Sequence, residues 1–215
     1  MKKLITIKNI AYTPPNFHGD SQLLKGVSFR CEEGERLCIL GENGSGKSTL
    51  LKILAGQIQQ DGGVIDKSMH MRIAYVPQEF DIAHYGDTVS FYMEKNLGIK
   101  KSETDENGDA KSNPGAGHAL IKRVQTIAKE LGLNVERIAE RTCGSLSGGQ
   151  QKLLALSVVL ATNPDYILLD EPENHIDIVS RMVLIRMLQE YRGSVIFISH
   201  DRLIIDAIAT KVAEL

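Results

Sequence analysis

"GENGSGKST", Gly41 to Thr49, follows the apolar run Leu37 to Leu40 and precedes a segment with helical spacing of apolar residues. A strand that runs into glycines, a lysine and hydroxyls, and then into a helix, is the pattern G-x-x-x-x-G-K-[ST] in its proper context. Glycine lets successive backbone N–H groups turn inward around an anion, and the positive end of the following helix points at the same place. With glycine at about 7% of residues, such a match arises by chance on the order of once in a hundred chains of this length. The pattern therefore predicts a nucleoside triphosphate site. Gly41, Glu42, Asn43, Gly44, Ser45 and Gly46 form its backbone cradle, Lys47 reaches the β and γ phosphates, Ser48 holds Mg²⁺, and Thr49 stands beside it.

Short apolar or β-branched runs recur along the chain at "LITIKNI", "VSFRC", "RLCIL", "RIAYV", "YILLD" and "SVIFIS". Helical periodicity between several of them predicts an α/β protein with a mostly parallel, buried sheet. The expected helices are Lys47 to Ala55, Leu120 to Leu131, Gly149 to Ala161 and Ile178 to Tyr191. Strand signals vanish between Phe80 and Gly144, so residues 81–149 read as a helical insert, with 1–80 and 150–215 making the sheet core. Within the insert, residues 100–117, "KKSETDENGDAKSNPGAG", have no apolar periodicity and read as a mobile loop. The closing "KVAEL" reads as the start of another strand, which points to a fragment of something longer.

The 215 residues are enough for a substantial core without staples, and a formal net charge of −2 gives no global field toward nucleic acid or anionic lipid. Cys31, Cys38 and Cys143 are odd in number and lack metal-ligand spacing, which predicts a reduced, cytoplasmic compartment. The N-terminus alternates apolar with polar residues, unlike a signal peptide, and no apolar run approaches the roughly 20 residues of a membrane span.

Three further stretches carry chemistry. In "YILLDEPENHID" a buried strand delivers Asp170 to its end, where a carboxylate can share Mg²⁺ with Ser48, and Glu171 stands one step further as the base that polarises an attacking water. His200, after the strand in "VIFISHDR", and Gln78, after that in "YVPQE", lie at strand ends where an open parallel sheet gathers its ligands. His200 is a candidate for the γ-phosphate or the water, and Gln78 for the water or Mg²⁺. In "LSGGQ", Ser147, Gly148, Gly149 and Gln150 open a helix and form a second phosphate-binding start that has no lysine of its own.

The order of these motifs resembles the ATP-binding cassette (ABC) ATPases, from about Leu4 to Leu215. The resemblance makes Gly41 to Ser48 the Walker A loop, Gln78 the Q-loop, Ser147 to Gln150 the signature, Asp170 and Glu171 the end of Walker B, Asp177 the D-loop residue and His200 the switch. It implies a P-loop NTPase core with a mostly parallel sheet, an antiparallel β portion and an inserted helical subdomain. It also implies a head-to-tail sandwich, in which ATP on the Walker A loop of one cassette is covered by the signature of a second, on the same or a different chain. The family stacks an aromatic on adenine ahead of the loop, a place that Tyr12 or Phe17 can fill, with Tyr12 favoured. "DEPENHID" and "EYRGSVIFISHDR" resemble the ABC-F proteins, soluble tandem cassettes that act on ribosomes, where the first stretch reads "DEPTNHLD". Glu173 departs from that pattern, replacing its threonine. The implied partner is the ribosome and its rRNA; the alternative is the energy-coupling subunit of a membrane transporter, paired with a transmembrane subunit.

Overall fold

The computed structural model describes residues 3–15, 22–99 and 114–215. These divide into two compact units: Met1–Gln78, Pro164–Glu173 and Ile185–Leu215 form the first, Glu79–Asn163 and Asn174–Leu184 the second.

The first unit holds both sheets. Strands β1 (Leu4–Tyr12), β2 (Leu24–Glu32) and β4 (Gly62–Lys67) form an antiparallel sheet in the order β2-β1-β4. Strands β3 (Arg36–Leu40), β5 (Ile73–Val76), β6 (Tyr166–Asp170), β7 (Ser194–Ile198) and β8 (Lys211–Glu214) form a parallel sheet in the order β5-β6-β7-β3-β8. β6 and β7 are buried at every residue, as strands covered on both faces must be, and this is why they read as unbroken apolar runs. Helix α1 (Lys47–Leu54) buries Leu50, Leu51, Ile53 and Leu54 in one cluster with Ile5 and Ile7 of β1, Leu168 of β6 and Ile196 of β7. Parallel registers such as Asp170 opposite Ile198 and Ile39 opposite Ile198 bring the carboxyl ends of β6, β7 and β3 into line.

β4 was not expected from its sequence: "GGVIDK" opens with two glycines and buries no residue fully, so neither propensity nor alternation marks it. It exists because β1 offers it a partner, Ile7 opposite Ile65. Arg36 of β3 is equally invisible in one dimension. Its guanidinium donates to the carbonyl oxygens of Leu188 (3.0 Å), Gly34 (2.9 Å), Gln189 (2.7 Å) and Tyr191 (2.8 Å), and so closes the C-terminal end of helix α5 (Ile178–Glu190).

The second unit contains α2 (Val89–Asn96), α3 (Pro114–Glu130), α4 (Gly148–Thr162) and the first residues of α5. α2 starts at a Thr88 cap whose hydroxyl accepts from Phe91 N. α3 begins at Pro114, earlier than the expected Leu120; proline at a first helical position gives up an N–H that has no intrahelical partner there. Residues 114–117 are thus helical, and the rest of the expected loop, 100–113, lies outside the described residues. Residues 150–163, assigned to the sheet core from sequence, belong to this unit. The reason is packing: α4 buries Leu153, Leu154, Leu156, Val158 and Leu160 around nearly its whole circumference and lies against α3. Asp177 caps α5, accepting from Val179 N (2.9 Å) and Ser180 N (3.0 Å), while Ser180 Oγ reaches the Leu131 carbonyl (2.8 Å) at the end of α3.

The three cysteines are buried free thiols, and burial pushes Cys31 up to about 12 and Cys38 and Cys143 up to about 11. No helix among the described residues is long and apolar enough to cross a membrane.

Candidate functional site

The loop 41–46 leaves β3 and enters α1 through Gly46, whose φ of 96° lies in the left-handed region. A Cβ there would stand 2.7 Å from Leu24 Cδ2, so the position needs glycine twice over. Among the described residues no side chain caps α1, and no acidic residue occupies its first turn, an amide end of the kind that suits an anion. Ser45 Oγ is buried with no hydrogen-bond partner among the described residues. Lys47, 6% exposed, lays its stem in the core and donates from Nζ to the carbonyl oxygens of Gly41 (2.8 Å) and Glu42 (2.7 Å). Uncapped amides, an orphan hydroxyl and an ammonium held over the loop together suit a polyphosphate.

Asp170 ends β6 and is 1% exposed; its Oδ1 accepts from Ser48 Oγ (3.1 Å) and its Oδ2 from Tyr75 OH (3.2 Å). The Tyr75 phenol is pushed well above its ordinary value by burial and then by the Asp170 charge, so it stays a donor to that carboxylate. Tyr75 was not among the sequence candidates; its one signal is its place in the strand that leads to Gln78. The hydroxyl and carboxylate here, with the amide oxygen of Gln78, are hard oxygen donors of the kind Mg²⁺ takes alongside phosphate. Mg²⁺ needs only one or two carboxylates when phosphates complete its shell, and Asp170 is placed to supply one.

Glu171 sits at φ 45°, in the left-handed region, and its N–H donates to the Ile198 carbonyl (3.0 Å) at the end of β7. This kink carries the side chain off the strand line. Gln78 Nε2 donates to its Oε2 (2.8 Å), and His200 Nε2 stands 3.9 Å from its Oε1. The fold therefore brings Ser48, Gln78, Asp170, Glu171 and His200 to the carboxyl end of one parallel sheet. Glu173, 6% exposed, accepts at Oε1 from Ser199 Oγ (2.6 Å) and His200 N (3.3 Å); in the sequence its one mark is that it departs from the ABC-F pattern.

Tyr12 ends β1 opposite Leu24, the residue that touches Gly46, and packs half-buried against the core. Phe17 lies outside the described residues.

In the second unit, "LSGGQ" forms the start of α4. Ser147 Oγ accepts from Gln150 N (3.3 Å) and Gln150 Oε1 accepts from Ser147 N (3.1 Å), a reciprocal cap. Gly148 lies over the His175 ring, and a Cβ on Gly149 would stand 2.3 Å from the His175 carbonyl oxygen, so backbone packs directly on backbone.

These features define an ATP-binding cassette, and the comparison with known families agrees: the ABC transporter family matches residues 24–174, and the chain belongs to it as an ABC ATPase cassette. Among curated proteins, it is 32% identical to the ATP-binding protein Uup of Haemophilus influenzae, over 91% of this chain and 33% of that protein. It is 30% identical to ABC transporter F family member 5 of Arabidopsis thaliana, over 89% of this chain and 31% of that one. It is 31% identical to the zinc import ATP-binding protein ZnuC of Wigglesworthia glossinidia brevipalpis, over 99% of this chain and 82% of that one. The chain thus spans about a third of the length of the ABC-F-type relatives it matches. A solved dimeric bacterial ABC transporter cassette superposes with a TM-score of 0.79 at 26% identity, over 98% of this chain and 94% of that one.

Proposed function

We propose that this cassette binds ATP with Mg²⁺ and hydrolyses it against a second cassette, within an ABC-F-type protein that acts on the ribosome. The observation that carries the hydrolytic reading is Glu171, a carboxylate at 18% side-chain exposure held between Gln78 and His200, one residue beyond the buried Asp170.

In this reading the amides of the loop and of the α1 start bind the phosphates, and Lys47 exchanges its two loop carbonyls for β and γ oxygens. Ser48, Asp170 and Gln78 would hold Mg²⁺, which would supply charge neutralisation for the triphosphate. Tyr75 keeps Asp170 oriented. Glu171 accepts a proton from the attacking water, and its bond from Gln78 directs one oxygen so that the other faces the water and His200. Ser147 to Gln150 of a second cassette close the site, giving up their reciprocal cap for the γ-phosphate. Tyr12 serves adenine. Likeness to a dimeric cassette supports the sandwich, and the ABC-F-type relatives support the ribosomal setting. A cytoplasmic location follows from that setting.

One observation favours the transporter reading: the match to the zinc import ATP-binding protein, which this chain covers over most of its length. Glu171→Gln, which keeps shape and hydrogen bonding but removes the base, separates the two. In lysate fractionated at several salt concentrations, the trapped full-length variant is expected with ribosomes when ATP is present. Recovery with membranes and an integral partner would overturn the ribosomal assignment and leave the ATPase site standing. Unimpaired hydrolysis by the same variant would overturn the role of Glu171.

A further inference from the structure

Glu173 stands where the related pattern carries threonine, and a buried carboxylate is costly unless it is bonded. Its Oε1 takes the Ser199 hydroxyl (2.6 Å) and the His200 amide (3.3 Å). Ser199 Oγ in turn accepts from Asp201 N (3.0 Å), and the Asp201 carboxylate accepts from Leu203 N (2.9 Å) to start helix α6 (Arg202–Ile208). One carboxylate oxygen therefore organises every residue from Ser199 to Asp201. Two residues earlier, Glu171 N–H grips the Ile198 carbonyl, and Pro172 between them has a fixed φ. The segment Glu171–Pro172–Glu173 is a bracket that holds the end of β7 at two points, with Glu171 on one arm and the His200 backbone on the other. A threonine hydroxyl, two bonds shorter and neutral, cannot make the same pair of charge-assisted bonds from that position.

We propose that Glu173 is a positioning residue for ATP hydrolysis in this protein: through Ser199 and the His200 amide it fixes the imidazole against Glu171. This rests on the hydrolytic reading above. The carboxylate acts on geometry alone, so it bears on turnover and not on nucleotide binding. Its second oxygen, Oε2, is buried with no hydrogen-bond partner among the described residues, so the bonds seen there all go to Oε1.

The test is a double-mutant cycle of Glu173→Ala with His200→Ala in the intact protein, read by single-turnover ATP hydrolysis, ATP affinity and amide hydrogen exchange at Ser199 to Asp201. Glu173→Ala is expected to slow hydrolysis about tenfold or more, as misplacement of a reacting group does. ATP affinity should stay within about twofold, and the same change on the His200→Ala background should have no further effect. Glu173→Gln, which keeps an acceptor oxygen at the same reach, should restore most of the rate. Additive losses in the cycle, or a fall in ATP affinity parallel to the rate, would overturn the proposal and mark the residue as structural. Should Glu173→Ala fail to fold, Glu173→Thr takes its place with the same expected split. If the wild type itself turns over no ATP, the hydrolytic reading fails, and exchange alone decides the clamp: lost protection at Ser199 to Asp201 upholds it, unchanged protection overturns it.

Discussion

Replacing Lys47 by methionine keeps the buried stem and deletes the ammonium, so its effect can be worked from two contacts of that ammonium. In the structure Nζ donates to the carbonyl oxygens of Gly41 and Glu42 at 2.8 and 2.7 Å. Hydrogen bonds to a charged group contribute roughly 1.5–3 kcal/mol each, but Gly41 and Glu42 are open enough for water to take over the freed carbonyls, so the net loss is about 2 kcal/mol. For a chain of this size that lowers the ligand-free melting temperature by about 4–8 °C. With ATP, a unit charge about 4 Å from a phosphate charge contributes about 4 kcal/mol at an effective dielectric constant near 20. Wild-type Lys47 must abandon its two carbonyls to make that contact, which returns about 2 kcal/mol of it, so the net loss on substitution is about 2 kcal/mol, or about 30-fold in Kd. Calorimetric titration and thermal unfolding with and without ATP read both effects on one sample. A Kd within threefold of wild type refutes the phosphate contact, and an unchanged ligand-free melting temperature refutes the idea that the lysine braces its own loop.

Gly149→Ala would drive a Cβ against the His175 carbonyl oxygen, so the start of α4 must shift; stability should fall by about 1–3 kcal/mol, and turnover should drop while ATP affinity holds, as titration and steady-state kinetics would register. Arg36→Leu strands four carbonyls and should cost about 3 kcal/mol in urea unfolding, with Arg36→Lys recovering only part because an ammonium lacks the planar fork. The buried thiols should resist iodoacetamide in the native protein and react once it is unfolded, as mass spectrometry would show. Their raised values also set a sign: the unfolded thiols ionise from about pH 9, so their contribution is complete below that and is lost as pH rises toward 11 to 12, lowering the urea midpoint across that window. Cys38→Ala should flatten that fall.

The local grammar of the chain sufficed for the class of fold and for the family. A phosphate loop between an apolar strand and a helix, a strand that ends in Asp170–Glu171 and an "LSGGQ" helix start are contiguous, and each states its own physics within a dozen residues. Strands buried on both faces announce themselves as apolar runs, which is why β3, β6 and β7 were legible and the exposed, glycine-led β4 was not. What tertiary structure alone decided is which distant groups meet. That Tyr75 bonds Asp170, that Gln78 bonds Glu171 and that Arg36 closes α5 depend on strand order and register across gaps of up to 155 residues, where no periodicity in the chain carries information. The same holds for α4, whose apolar circumference marked it as buried but not which unit it would be buried in. Glu173 shows the division most sharply. In the sequence it is one extra negative charge beside Glu171, and only the pairing of β6 with β7 turns it into an acceptor for Ser199 and His200. Hydrophobic pattern is a property of neighbours along the chain, whereas a buried carboxylate finds its partners only after the sheet has closed.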